Sequence, residues 1–244
     1  MKNHWTEITR FSLGMVLVPV LAACFSSAAI ADGEIKGSVR NHTWGRASPG
    51  DEVILLRLDP GAQEEASTIT DVQGTFAFKV QHPGQSYLVR VVHQNVSYDR
   101  QASAGDSLSI QVFDTAPQVR GITGTIEILR AGTSGNRLHV SDMIEVTNQS
   151  HPPITLGGGS TFEVYVPANA KIDSVLAAGP DKISVMLSAT PVSGEPGHYA
   201  VNFPLRPGAT KFAFNYDLPY PGHAVFRTKL RIPCSSLRSC FPRP

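Results

Sequence analysis

The sequence predicts an all-β protein of two β-sandwich domains, on three observations. Short apolar segments alternate with polar residues at period two, which turns one face of each segment to a core and the other to water. The chain has 21 glycines and 18 prolines, scattered between those segments rather than periodic, as many tight turns require. Beyond the N-terminal segment no stretch keeps a helical period of useful length, and residues 168–178 hold a helical turn at most.

The N-terminal segment is an export signal. Lys2 and Arg10 precede an uncharged apolar run, Phe11 to Phe25, and small residues end at Ala29-Ile30-Ala31. That order fits a secretory signal over residues 1–31, cut after Ala31. The apolar run, about 15 residues, falls short of the roughly 18–20 that span a bilayer. Leu21-Ala22-Ala23-Cys24 offers an alternative, a bacterial lipobox that makes Cys24 the lipidated first residue. Either route exports the protein to the periplasm, the outer envelope or the exterior, with a membrane contact only through that lipid.

About 210 residues follow the signal, enough for one large or two ordinary domains. Residues 33–116 break into seven short strands. Ile35, Gly37 and Val39 alternate, and Val53 to Leu58 is a continuous apolar run stopped by Asp59-Pro60-Gly61. A polar strand lies near Ser67 to Thr70, and Asp71 to Gly74 turns into the alternation of Phe76, Phe78 and Val80. Tyr87 to His93, Val96 to Arg100, and Leu108, Ile110 and Val112 complete the set. Pro117 and Gly121 mark the boundary.

A second sandwich is expected over residues 120–232. Leu138, Val140, Ile144 and Val146 lie on one long strand, disturbed at Asp142. Gly157-Gly158-Gly159 belongs to an irregular loop. Tyr199 to Leu205 and Phe212 to Leu218 alternate cleanly, and a last strand is expected from Ala224 to Ile232. Residues 233–244 are an irregular basic tail. Cys234 and Cys240 in it form a C-x5-C pair that an oxidising compartment would close into a small disulfide loop.

From Glu34 to Asp114 the pattern resembles the carboxypeptidase regulatory-like, or transthyretin-like, domain. The carrying residues are Gly37-Ser38-Val39, Pro49-Gly50-Asp51 entering Val53 to Leu56, Thr70-Asp71 through Gly74-Thr75-Phe76, and Tyr87 to Val91. The resemblance implies a seven-stranded sandwich of the carbohydrate-binding-like fold class, found outside cells. It implies little about function, because the scaffold serves unrelated tasks. The whole mature chain is similar to uncharacterised exported bacterial proteins that add a second β region. That likeness rests on Leu138-His139-Val140, Asn148 to Pro153, and Phe203 to Gly208 with Leu218-Pro219-Tyr220. Members of that group often continue further, so for the unmatched tail after Ile232 a truncated or frame-shifted end and a genuine tail are both open.

Residue chemistry argues against an enzyme. His139 and Asp142 stand three apart on a strand and so face opposite ways. Gly157 to Ser160 lacks the strand-to-helix setting of a serine nucleophile, and the glycines bring no lysine for a phosphate. No catalytic residue, metal ligand or cofactor is expected. With Lys and Arg totalling 21 and Asp and Glu 20, no basic surface argues for nucleic acid. The expectation is an exported binding or scaffold protein whose partner is an envelope protein or a polysaccharide. The alternative is a carbohydrate-binding module, with Trp44 in a polar loop and Tyr98 and His93 behind it as candidate ligand residues. A purely structural place for them is open too, Trp44 capping the sandwich and His93 facing inward with Tyr87, Val89 and Val91.

Overall fold

A computed structural model describes residues 33–224 and 229–231. The signal segment with Cys24 and the tail with Cys234 and Cys240 lie outside the described residues. Among the described residues every regular element is a strand.

The first core lies between two antiparallel-rich sheets. Strand β1 (Glu34–Asn41) pairs antiparallel with β2 (Arg46–Ala47) and with β5 (Thr75–Lys79), and runs parallel to β8 (Ser107–Val112). The facing sheet joins β4 (Gln63–Ile69), β3 (Glu52–Arg57), β6 (Tyr87–His93) and β7 (Val96–Ala102) in that order. The seven expected strands are present, and β2 is a short addition in the loop after β1. Alternation sends Ile35, Val39, Val53, Leu55, Phe76, Phe78, Val89 and Ile110 into one cluster. Strand β4 is an outer strand, and it turns the Glu65 carboxylate inward, where the Tyr87 hydroxyl donates to it at 3.2 Å. An inward charge on an edge strand discourages pairing with another chain.

The second core lies between a five-stranded and a four-stranded sheet. The larger is ordered β10 (Ile122–Ser134), β11 (Arg137–Asn148), β18 (Gly208–Pro219), β14 (Lys171–Ala178) and β15 (Ser184–Leu187). The smaller is ordered β16 (Thr190–Pro191), β17 (His198–Val201), β13 (Phe162–Tyr165) and β19 (Lys229–Arg231). Phe162 stacks on Phe212 with ring centroids 4.8 Å apart, and both are fully buried.

Two expectations need correction. Residues 171–178 form strand β14 rather than a helical turn. Val175 and Ala177 point into the core, but a bulge between Ile172 and Ser174 shifts the phase and hides the period. Asp142 does not disturb its strand: β11 runs unbroken, and the wholly buried carboxylate accepts a 2.9 Å hydrogen bond from the Tyr216 hydroxyl. A partnered polar group fits inside a sheet at modest cost. The irregularity sits in the neighbouring strand β10, between Ile126 and Ile128.

A two-stranded parallel sheet joins the two cores. Strand β9 (Thr115–Ala116), the end of the segment assigned to the first domain, pairs with β12 (Thr155–Leu156). Gly157 follows β12 and lies against β9; a β-carbon there would come within 2.7 Å of the Thr115 methyl carbon. The first glycine of the triple is therefore a packing requirement rather than loop slack.

Candidate functional site

The polar residues of the first sandwich gather at the end where β9 leaves it. Strand β6 ends at His93, whose ring faces inward because alternation continues from Val89 and Val91. A two-residue turn, Gln94 and Asn95, reverses the chain into β7 with φ of 47° and 63°. Such a turn needs positive φ at both positions, which Asn tolerates better than Gln. The Gln94 side chain has a use there. Its amide oxygen accepts from the Thr115 backbone N–H at 2.7 Å and its amide nitrogen donates to Asp114 Oδ1 at 3.3 Å.

Asp114 is the hub. Asn41 Nδ2 donates to Oδ1 at 2.6 Å and Trp44 Nε1 donates to Oδ2 at 2.6 Å. His93 Nε2 lies 3.3 Å from Oδ1, while its Nδ1 sits 2.7 Å from Asp51 Oδ1. The Thr43 hydroxyl accepts from the Asp114 backbone N–H at 2.9 Å and donates to the Pro153 carbonyl at 2.7 Å. Tyr98 adds a second bridge. Its hydroxyl accepts from the Phe113 N–H at 3.2 Å and lies 3.1 Å from Thr155 Oγ1 across the junction. The Arg206 guanidinium, paired with Asp181 at 2.8 Å, spreads over the Tyr98 ring with Cζ 5.5 Å from its centroid.

The three residues named from sequence thus converge on the segment 113–115, but not as a platform. Tyr98 and His93 are buried. Trp44 alone stays 62% exposed, its indole N–H held by Asp114 and its ring open to solvent. Asp114, Asn41, Thr43, Gln94 and Arg206 were not singled out from the sequence. The one signal pointing to them was the polar Asp114-Thr115 step directly after a buried strand.

Electrostatics make the junction a clamp that titrates. Burial alone would lower the His93 pKa, but the hydrogen bond and charge of Asp51, then those of Asp114, outweigh it and raise the imidazole above its ordinary value. Burial would raise the Asp114 pKa, but hydrogen bonds from Asn41, Trp44 and His93 outweigh it and hold the carboxyl below the usual range. Asp51 Oδ2 is buried and has no hydrogen-bond partner among the described residues, so a charged imidazolium beside it offsets its desolvation.

A group with a raised folded pKa stabilises below its unfolded value and loses that contribution as pH rises through the folded value. His93 therefore sets the upper limit of the clamp. Asp114, with a depressed value, sets the lower one, its contribution disappearing as pH falls through it. Stability is expected to peak from mildly acid to neutral pH and to decline toward alkaline pH. His93→Gln should flatten the alkaline decline in thermal-melting profiles. An alkaline decline that persists unchanged in His93→Gln rules this clamp out as its source.

A second buried imidazole, His198, stacks on Tyr165 at 4.1 Å and lies 3.1 Å from Glu163 Oε2. His139, by contrast, is exposed on the outer face of β11, opposite in sense to Asp142. No group of three or more His, Cys, Asp or Glu side chains among the described residues is arranged to hold a metal ion.

Fold and junction together define an all-β sandwich protein with two cores, whose buried polar groups at the junction hold the cores to one another. No protein-family model matches the chain. No curated protein matches it either. Among solved structures it is similar to BcpA, the major pilin subunit of Bacillus cereus, at 10% identity over 82% of this chain and 63% of that one, TM-score 0.27. It is similar also to the full-length major pilin SpaD from Corynebacterium diphtheriae, at 10% identity over 77% of this chain and 56% of that one, TM-score 0.27. A two-domain protein of unknown function from Bacteroides fragilis matches at 8% identity over 74% of this chain and 84% of that one, TM-score 0.22. The chain spans less than two thirds of the length of either pilin. At such distance likeness says nothing of a shared ligand.

Proposed function

We propose that the chain is an exported, non-enzymatic binding or scaffold protein of the cell envelope or exterior, its first domain a carboxypeptidase regulatory-like interaction module. One observation carries the reading. His93, Asp51 and Asp114, the His and Asp side chains that cluster in the first sandwich, are turned inward at the junction and engaged in holding segment 113–115. A general base must reach a substrate proton, and His93 is buried between two carboxylates. What the arrangement supports is a fixed geometry between two sandwiches, the property of a scaffold.

Affinity capture from envelope extract with the mature chain as bait, run beside a glycan array, tests this reading. A saturable envelope protein or polysaccharide partner is expected, with no metal-dependent peptidase activity and no change of melting temperature on chelation. Stoichiometric zinc or measurable hydrolysis would overturn it. Mass spectrometry of protein from its native host should find Asp32 at the N-terminus, or Cys24 carrying lipid. A second reading, carbohydrate binding by the first domain, is favoured by Trp44, an exposed ring fixed at its edge. It predicts that Trp44→Ala removes glycan binding while leaving the fold intact, whereas Trp44→His, which keeps an N–H donor on a smaller ring, weakens that binding.

A further inference from the structure

The outer face of the five-stranded sheet carries its side chains in rows, because register lines them up. One row runs Gly132, His139, Asp217 and Lys171, across β10, β11, β18 and β14. The next runs Arg130, Ser141, Asn215 and Ser174, and a third, apolar row runs Met143, Ala213, Leu176 and Met186. Gly132 contributes no side chain to this face, and a trough of about 370 Å3 opens over it. Its walls are Arg130, His139, Ser141, Asp173, Asn215 and Asp217. Asp173 is the extra residue of the β14 bulge and is exposed, the kind of place where bulges re-aim a side chain.

The Asp217 carboxylate is held in place from both sides. Arg137 donates to one oxygen at 3.1 Å and His139 contacts the other. Burial would raise its pKa, but these two partners keep it below the usual carboxylate range, so it stays an acceptor.

We propose that this trough binds a neutral saccharide unit. Asp217 and Asp173 accept hydroxyl protons, and Arg130 and the His139 ring supply N–H donors. The rim sets one guanidinium, Arg130, among two carboxylates and the neutral Ser141 and Asn215, a mix of donors and acceptors that suits a ligand rich in hydroxyls. The adjoining Met143–Leu176–Met186 row gives the C–H face of a sugar an apolar bed. The site lies on the second sandwich, uses neither Trp44 nor the junction, and goes beyond the interaction role given to the first domain.

The test is a titration of the isotope-labelled mature chain with neutral glucose-, galactose- and mannose-based oligosaccharides at millimolar concentration, read by amide chemical shifts. Saturable shifts at Gly132, Ser141 and Asn215 are expected with at least one of them. A β-carbon at Gly132 would meet nothing within 4 Å, so Gly132→Leu should fold normally, fill the trough and abolish those shifts. Asp217→Asn keeps the shape but weakens the acceptor, and should loosen binding about tenfold. Trp44→Ala should leave it unchanged. No saturable shift with any neutral sugar overturns the proposal. So does binding that survives both Gly132→Leu and Asp217→Asn, binding that Trp44→Ala alone removes, or binding confined to uronic acid oligomers.

Discussion

Arg206→Ala is expected to destabilise the protein by about 3–5 kcal/mol, the usual cost of removing one partner from a buried ion pair. Arg206 and Asp181 lie 2.8 Å apart with side chains only 10% and 9% exposed. Without the guanidinium, the Asp181 carboxylate remains buried and uncompensated. The change also removes the contacts that Arg206 makes to the first sandwich, over the Tyr98 ring and to the Ser97 carbonyl at 3.4 Å. The site is shaped for this group, since a side chain at Gly179 would collide with the guanidinium. Denaturant unfolding of the single variant and of Arg206→Met with Asp181→Leu measures the effect. The apolar pair should recover most of the loss. A single-variant cost below about 1 kcal/mol, the range of exposed pairs, would refute the buried coupling.

Phe162→Ala should cost a similar amount, about 3–5 kcal/mol, by leaving a cavity in a core that has little room to collapse. Phe162 is fully buried, lies flat on Phe212 and is tilted against Phe214. This change strikes the second core alone, so it also tests domain independence. Trp44 is the one tryptophan after Ala31, and its fluorescence reports on the first sandwich. The transition seen by far-ultraviolet dichroism should split, with the Trp44 signal melting later. Residues 33–116 expressed alone should fold as a cooperative unit. A single shifted transition in Phe162→Ala, together with an unfolded fragment, would show one inseparable unit instead.

Much of this architecture was legible without coordinates. Alternation at Phe76-Phe78, Val89-Val91 and Phe212-Phe214-Tyr216 assigned both strand and inward face, because a pleated strand leaves no other periodicity. Where the local pattern carried a second cause, reading along the chain failed. The bulge at Asp173 shifted the phase of β14, so a strand looked aperiodic. Asp142 looked like a break because its partner, Tyr216, lies far away in sequence and adjacent in space.

The functional residues divide the same way. Trp44, His93 and Tyr98 stood out by residue type, and they do share one end of the first sandwich. Composition and alternation determined an all-β chain and its two apolar clusters. What the tertiary structure decided is which partners the polar groups keep. Asp114 is an ordinary aspartate in the sequence. It becomes a hub because β8 runs parallel beside β1, with Asn41 opposite Val112, and delivers Asp114 among Asn41, Trp44, His93 and Gln94. Hydrophobic period is a local property that a single strand displays by itself. A hydrogen-bond network among residues tens of positions apart exists only once the chain has closed upon itself.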